Sequence, residues 1–168
     1  MSPERYDAWY ATPRGAWIGD LEYGLLREMV APRPGETLLD VGCGTGYFTR
    51  HFAGANGIGW VAGADRDAGA VRFAADRGGA AYLVADGLRL PFADRSFDLA
   101  VGVTSLCFMP DERRALAEML RVARRRVALG LLNRRSLLWL DKGRGEGRGA
   151  YGGAHPGAAA RDPRIVRL

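Results

Sequence analysis

Leu38-Leu39-Asp40-Val41-Gly42-Cys43-Gly44-Thr45-Gly46-Tyr47-Phe48 reads as a short buried strand, a glycine turn and the first turn of a helix. Its glycines are spaced G-x-G-x-G. A dinucleotide fingerprint would be G-x-G-x-x-G, with its third glycine where Tyr47 stands. Glycine lets the backbone come close to a ligand where a Cβ would clash, and the following helix offers free N–H groups to a polar or anionic group. The stretch therefore predicts a nucleoside-type cofactor at the C-terminal end of the strand and argues against a dehydrogenase.

Outward from this stretch, strands and helices alternate. Trp17, Ile18, Leu21, Leu25, Leu26, Met29 and Val30 have helical spacing, and Pro32-x-Pro34-Gly35 should stop that helix. Strands are expected at 37–41, 60–64, 81–84, 97–103 and 127–132. Asp67 and Asp111 are placed to cap the helices that follow them, and Phe48 and Phe52, four apart, should face the sheet. The alternation implies an α/β fold: a doubly wound, mostly parallel sheet of five strands with helices on both faces. Residues 1–140 form this domain, with a helical N-terminal segment over about 1–31. Residues 141–168 read as an irregular Gly/Ala/Arg-rich tail, with a candidate strand stub at Ile165–Leu168.

The 168 residues suffice for one hydrophobic core, and 48% hydrophobic with 26% charged residues is a globular composition. No apolar run is long enough to span a membrane, and the N-terminus lacks the apolar stretch of a secretory signal. Cys43 and Cys107 form no C-x-x-C pair, so neither a disulfide framework nor a zinc site is expected; two reduced thiols in the cytoplasm fit better. The net charge of +5 is unevenly spread. From Arg113 onward there are 14 basic and 4 acidic residues, leaving 10 basic and 15 acidic in the rest. A basic end can signal nucleic-acid contact. Lys142, however, is the only lysine, and the Arg, Ala and Gly excess reads more simply as GC-rich coding bias.

Two further acids stand at strand ends. Asp65 closes the second strand, 19 residues after Gly46, where a carboxylate can accept both ribose hydroxyls of a nucleoside; the alternative is a plain acid at the start of a helix. Asp86, in Val84-Ala85-Asp86-Gly87, can accept from an exocyclic purine amine, and reads equally well as a turn aspartate before glycine.

LLDVGCGTG, GADRD and VADGLRLPFADRSFDLAV, in this order, resemble the class I S-adenosylmethionine-dependent methyltransferases of the small-molecule, methyltransferase-11 type, over roughly Tyr6 to Leu140. The resemblance implies a Rossmann-like fold with S-adenosylmethionine as cofactor. Gly42, Cys43, Gly44 and Gly46 would wrap the methionine part, and Asp40 would organise the turn and reach the amino group through water. Asp65 would hold the ribose with Arg66 beside the adenine; Asp86 and Gly87 would address the adenine. Thr104 falls near the sulfonium and the substrate, or serves only as a strand-end hydroxyl. Tyr6, Trp9, Tyr10 and Trp17 fall where the family places a lid, with ordinary aromatic packing as the alternative. The implied reaction is SN2 transfer to a small-molecule acceptor, which needs alignment more than a general base. No catalytic residue and no metal ligand is assigned; His51 reads as surface or structural, and His155 lies in the tail.

Two departures qualify the resemblance. Arg124-Arg125-Arg126 stands where the family has a Pro-Gly-Gly turn, so the turn is made differently or the helix runs closer to the strand. The family's last two strands, one antiparallel, lack clear counterparts in the 36 residues after Leu132, as in a C-terminally truncated member. That hairpin is expected to be missing or incomplete. The fifth strand would then be an exposed edge, open to a homo-oligomer or a partner. The competing functions are a non-catalytic or partner-dependent S-adenosylmethionine-binding protein, and an RNA methyltransferase. Against the latter, Thr104-Ser105-Leu106-Cys107 is not an N-P-P-Y type motif.

Overall fold

In the computed structural model of the chain, residues 2–55, 57–131 and 162–167 are described. The elements are α1 (Pro3–Tyr10), α2 (Pro13–Val30), β1 (Thr37–Val41), α3 (Tyr47–Ala53), β2 (Trp60–Asp65), α4 (Ala68–Arg77), β3 (Ala81–Val84), β4 (Phe97–Val103), α5 (Glu112–Val122), β5 (Ala123–Gly130) and β6 (Ile165–Arg167). The strands form one sheet in the order β3-β2-β1-β4-β5-β6, every pair parallel. Chain order reverses between β1 and β4. Ligands of open α/β sheets bind in the crevice beyond the strand ends at such a reversal.

Local chemistry sets the element ends. Pro3 and Pro13 begin α1 and α2, where a missing N–H does no harm, and Ser2 and Thr12 cap them. Asp67 accepts from Gly69 and Ala70, and Asp111 from Arg114, as expected of N-caps. Alternation along β1 splits the core: Leu38 joins Leu26, Val30, Phe48 and Phe52 on the α2–α3 face, whereas Leu39 and Val41 join Leu116, Met119 and Val122 on the α5 face.

The arginine run replaces the Pro-Gly-Gly turn by removing the turn altogether: α5 ends at Val122 and β5 begins at Ala123. Arg124 pairs with Asp98. Arg125 grips Glu36 with two N–H···O bonds of 2.6 Å and also donates to the carbonyls of Val30 and Ala31. Arg126 donates to the carbonyl of Met29 at 2.7 Å. The last carbonyls of a helix have no partner within it, so these arginines cap α2 from across the sheet. They accompany a non-glycine terminus, Ala31, at φ +41°. Arg121 holds the Leu90-Pro91-Phe92 segment in the same way. It pairs with Glu118 and Asp94 and donates to the carbonyls of Leu90 and Phe92.

One expectation needs correction. The strand stub expected at 165–168 joins the five expected strands as β6, parallel to β5, so the edge of β5 is not open but covered over Val127–Leu129. Arg164 accounts for the docking: its guanidinium donates to the carbonyls of Leu120 and Ala123 and pairs with Asp162, while its own carbonyl accepts from Val127 N–H. An oligomer or partner seated on an open β5 edge has no basis at those three residues. The antiparallel hairpin, most of the irregular tail and His155 lie outside the described residues.

Candidate cofactor site

A cavity of about 310 Å³ opens at the C-terminal ends of β1, β2 and β4, under α1. Its floor is the glycine turn. Gly42, Gly44 and Gly46 all have positive φ, at 77°, 52° and 78°. Each does something different. A Cβ on Gly42 would lie 2.3 Å from Ser105 Cβ, so Gly42 lets the β1 and β4 ends close on each other, where Ser105 Oγ donates to Val41 O at 2.7 Å. A Cβ on Gly44 would meet no atom within 4 Å. Gly46 does not line the cavity; it sits at the start of α3 beneath Tyr82.

Asp65 ties the turn to the next strand. Its Oδ2 accepts from Gly44 N–H at 2.8 Å and its Oδ1 from Asp67 N–H at 2.9 Å. Asp86 Oδ1 accepts from Leu88 N–H at 2.9 Å, so it is a turn aspartate as well as a lining residue. Cys43, Arg66, Gly87 and Thr104 line the same cavity. Thr104 is strained: a β-branched residue at φ +50°, held by its N–H to Gly130 O at 2.7 Å. Such outliers cluster at ligand sites. Tyr6 and Tyr10 form part of the roof, their hydroxyls 3.4 Å apart, and the Tyr10 ring stacks on Tyr47. Trp17 is not with them; it lies 66% exposed on α2 and does not touch the cavity. His51 is structural: Nδ1 bonds to Tyr47 O and the ring packs on Tyr47 and Tyr23.

The lining residues that sequence reading misses include Thr45, inside the glycine turn itself, and Ser105, Phe108 and Met109. The last three belong to or flank the short 3₁₀ turn after β4, which no motif announces.

Asp40 is the buried carboxylate beneath the floor, 2% exposed, accepting from Thr49 Oγ at 2.7 Å. Burial, reinforced by the charge of Asp65 and opposed by the Thr49 hydrogen bond, pushes its pKa up to about 7. Because the folded value lies above the unfolded one, the native state holds the extra proton between about pH 4 and 7, and stability falls as pH rises through that window. Asp40→Asn should flatten this slope. Urea titrations at pH 5 and pH 8 should show a loss on the order of 3 kcal/mol in the parent that the variant lacks. Parallel pH profiles would refute the assignment.

Three carboxylates, Asp65, Asp67 and Asp86, thus line one cavity above the buried Asp40, and Arg66 is the single cation among its described lining residues. The Thr45 hydroxyl is buried there without a partner. Open backbone at Gly44, an orphaned hydroxyl and an acidic wall fit a nucleoside ligand that carries positive charge. Fold and site together define a Rossmann-like nucleoside-cofactor domain.

The comparisons narrow that class. Residues 39–129, more than half of the chain, match the family described as a methyltransferase domain. The chain is 38% identical over 125 residues to an uncharacterized methyltransferase of Mycobacterium marinum, a match covering 73% of this chain and 47% of that protein. It is 38% identical over 102 residues to O-methyltransferase cnsE of Penicillium expansum, covering 56% and 37%. Among solved structures, an S-adenosylmethionine-dependent methyltransferase of Thermotoga maritima, titled a possible histamine N-methyltransferase, superposes with TM-score 0.67 at 25% identity, covering 90% of this chain and 69% of that one. The chain belongs to the class I S-adenosylmethionine-dependent methyltransferase family. It spans about half the length of the curated relatives it matches, or less.

Proposed function

We propose that this chain binds S-adenosylmethionine in the cavity over Gly42–Gly46 and methylates a small-molecule acceptor. The observation that carries the reading is the acidic lining of Asp65, Asp67 and Asp86 around an open glycine turn, in a chain of this family. When bound, the cofactor supplies a methyl group already activated on a sulfonium. The protein's share is then orientation and exclusion of water. Gly44 offers bare backbone, Asp65 and Asp86 line the cavity as carboxylate acceptors for a nucleoside, and Tyr6 and Tyr10 cover it from above. Phe108, 59% exposed and lining the same cavity, offers an apolar wall to an acceptor. That relatives are named O-methyltransferases supports methyl transfer as the reaction of this site.

Six of the fourteen basic residues from Arg113 onward are tied up within the fold and offer little to an RNA acceptor. Arg114, Arg121, Arg124, Arg125, Arg126 and Arg164 are spent on carbonyls and carboxylates of the fold. The two free thiols and the lack, among the described residues, of a helix long and apolar enough to cross a membrane support placing the activity in the cytoplasm.

Titration calorimetry with S-adenosylhomocysteine tests the reading. Binding with a dissociation constant of roughly micromolar order is expected; no heat at millimolar ligand would retire it.

A further inference from the structure

α1 roofs the cavity but buries little of itself. Pro3, Tyr6, Asp7 and Tyr10 share one helix face at positions i, i+3, i+4 and i+7. Three of them line the cavity, and Tyr10 is the one buried residue of the helix. Eight residues do not make a helix that stands alone, so a short list of contacts must hold α1 down. Apart from the packing of Tyr10 on Tyr47, at 3.8 Å between ring centroids, the strongest of these is Asp7.

The Asp7 carboxylate receives Arg50 Nη2 on Oδ1 and Arg77 Nε on Oδ2, each at 3.1 Å. Arg50 belongs to α3 and Arg77 to α4, the helices that follow the two cofactor-facing loops, 42–46 and 65–67. Arg50 also uses Nη1 to donate to the carbonyl of Thr45, inside the glycine turn, at 2.7 Å. The Arg77 guanidinium lies 4.0 Å above the ring of Phe73, which fixes its direction. One carboxylate thereby joins the roof to both loops of the floor. The Asp7–Arg50 limb is sheltered, with side chains 14% and 22% exposed, and so is weakly screened by salt. The Arg77 limb, at 46%, is the weaker of the two.

We propose that Asp7 is a positioning residue that latches α1 over the cofactor, holding roof and glycine turn together through Arg50 and Arg77, so that the nucleoside escapes only when these ion pairs part. This rests on the methyltransferase reading of the cavity. Asp7 touches neither cofactor nor acceptor in this scheme. Its effect falls on the closed fraction of the lid, and hence on ligand residence and apparent affinity.

Two measurements on the full chain test it, one of them independent of any ligand. In hydrogen exchange on the free protein, Asp7→Asn should speed exchange of the α1 amides roughly tenfold, the equivalent of one charge-assisted hydrogen bond. The α3 and α5 amides should be unchanged, and Asp7→Glu should restore most of the protection. In stopped-flow displacement, the same variant should release S-adenosylhomocysteine roughly tenfold faster, with Arg77→Ala intermediate. Equal α1 exchange in parent and Asp7→Asn would overturn the latch, as would faster exchange accompanied by an unchanged release rate. A parent that binds no S-adenosylhomocysteine would instead retire the cofactor reading, while the exchange result still judges the latch.

Discussion

Gly42→Ala should leave little protein that is both folded and able to bind cofactor. An alanine at φ +77° carries the left-handed penalty of about 1–2 kcal/mol. Its Cβ would also lie 2.3 Å from Ser105 Cβ and 2.9 Å from Ser105 Oγ. Ser105 has nowhere to retreat: it is 9% exposed, and its hydroxyl is spent on Val41 O, joining the two central strands where chain order reverses. Relief of the clash means overpacking, at about 1–3 kcal/mol, or loss of a buried hydrogen bond, at about 1 kcal/mol or more. The sum, on the order of 4 kcal/mol, is a large share of the 5–15 kcal/mol that holds an ordinary domain together. Thermal melts should show a midpoint lowered by about 10 °C, and calorimetry should show no S-adenosylhomocysteine binding. Gly44→Ala is the control. It has a positive φ too, but a Cβ there meets no atom within 4 Å, so the fold should survive while binding weakens. A Gly42→Ala protein melting within about 2 °C of the parent would refute the argument.

The same pair of glycines shows how far sequence reading reaches. The turn, its strand and its helix were legible because each is local: apolar residues in a short run, then glycines, then Phe48 and Phe52 four apart. For the same reason β1, β3 and β4 have the bounds expected of them, and Asp67 and Asp111 cap as expected. β5 was read as starting at Val127 and in fact starts at Ala123. The three arginines that mask its first residues find their partners at Met29, Val30, Ala31, Glu36 and Asp98, all distant in sequence. β6 matches the strand stub expected at 165–168, but its place beside β5 depends on Arg164 reaching the end of α5, which no local pattern encodes. At the site, residues on the glycine turn and at strand ends were readable. Ser105 and Met109 were not, because they face the cavity only after Thr104 adopts a backbone conformation that β-branched residues rarely take. The latch has the same character: Asp7, Arg50 and Arg77 are 43 and 70 residues apart along the chain, and only the packing of α1 over α3 and α4 makes them one unit.

Asp65→Ala should weaken S-adenosylhomocysteine binding roughly a hundredfold, through two effects of the same sign. A carboxylate has about four lone-pair sites, and the fold uses two of them, for the N–H groups of Gly44 and Asp67. The remainder are available to ribose hydroxyls at the end of β2. Removing the side chain takes away those acceptors, and it also unties Gly44, so the glycine turn has to be ordered at the moment of binding rather than beforehand. Asp65→Asn separates the two effects. An amide oxygen can still accept from Gly44 N–H, so if Asp65 only ties the turn, the asparagine variant should keep most of the parent's affinity. If it also holds the ribose, the variant loses both the charge and one acceptor oxygen, and its affinity should fall most of the way to that of alanine. The second result is the one expected. Because Asp65 lies at the rim of the cavity and not in the core, both variants should melt close to the parent, which keeps the binding loss from being a folding defect. An Asp65→Ala affinity within about threefold of the parent, in a protein of unchanged melting temperature, would remove Asp65 from the site.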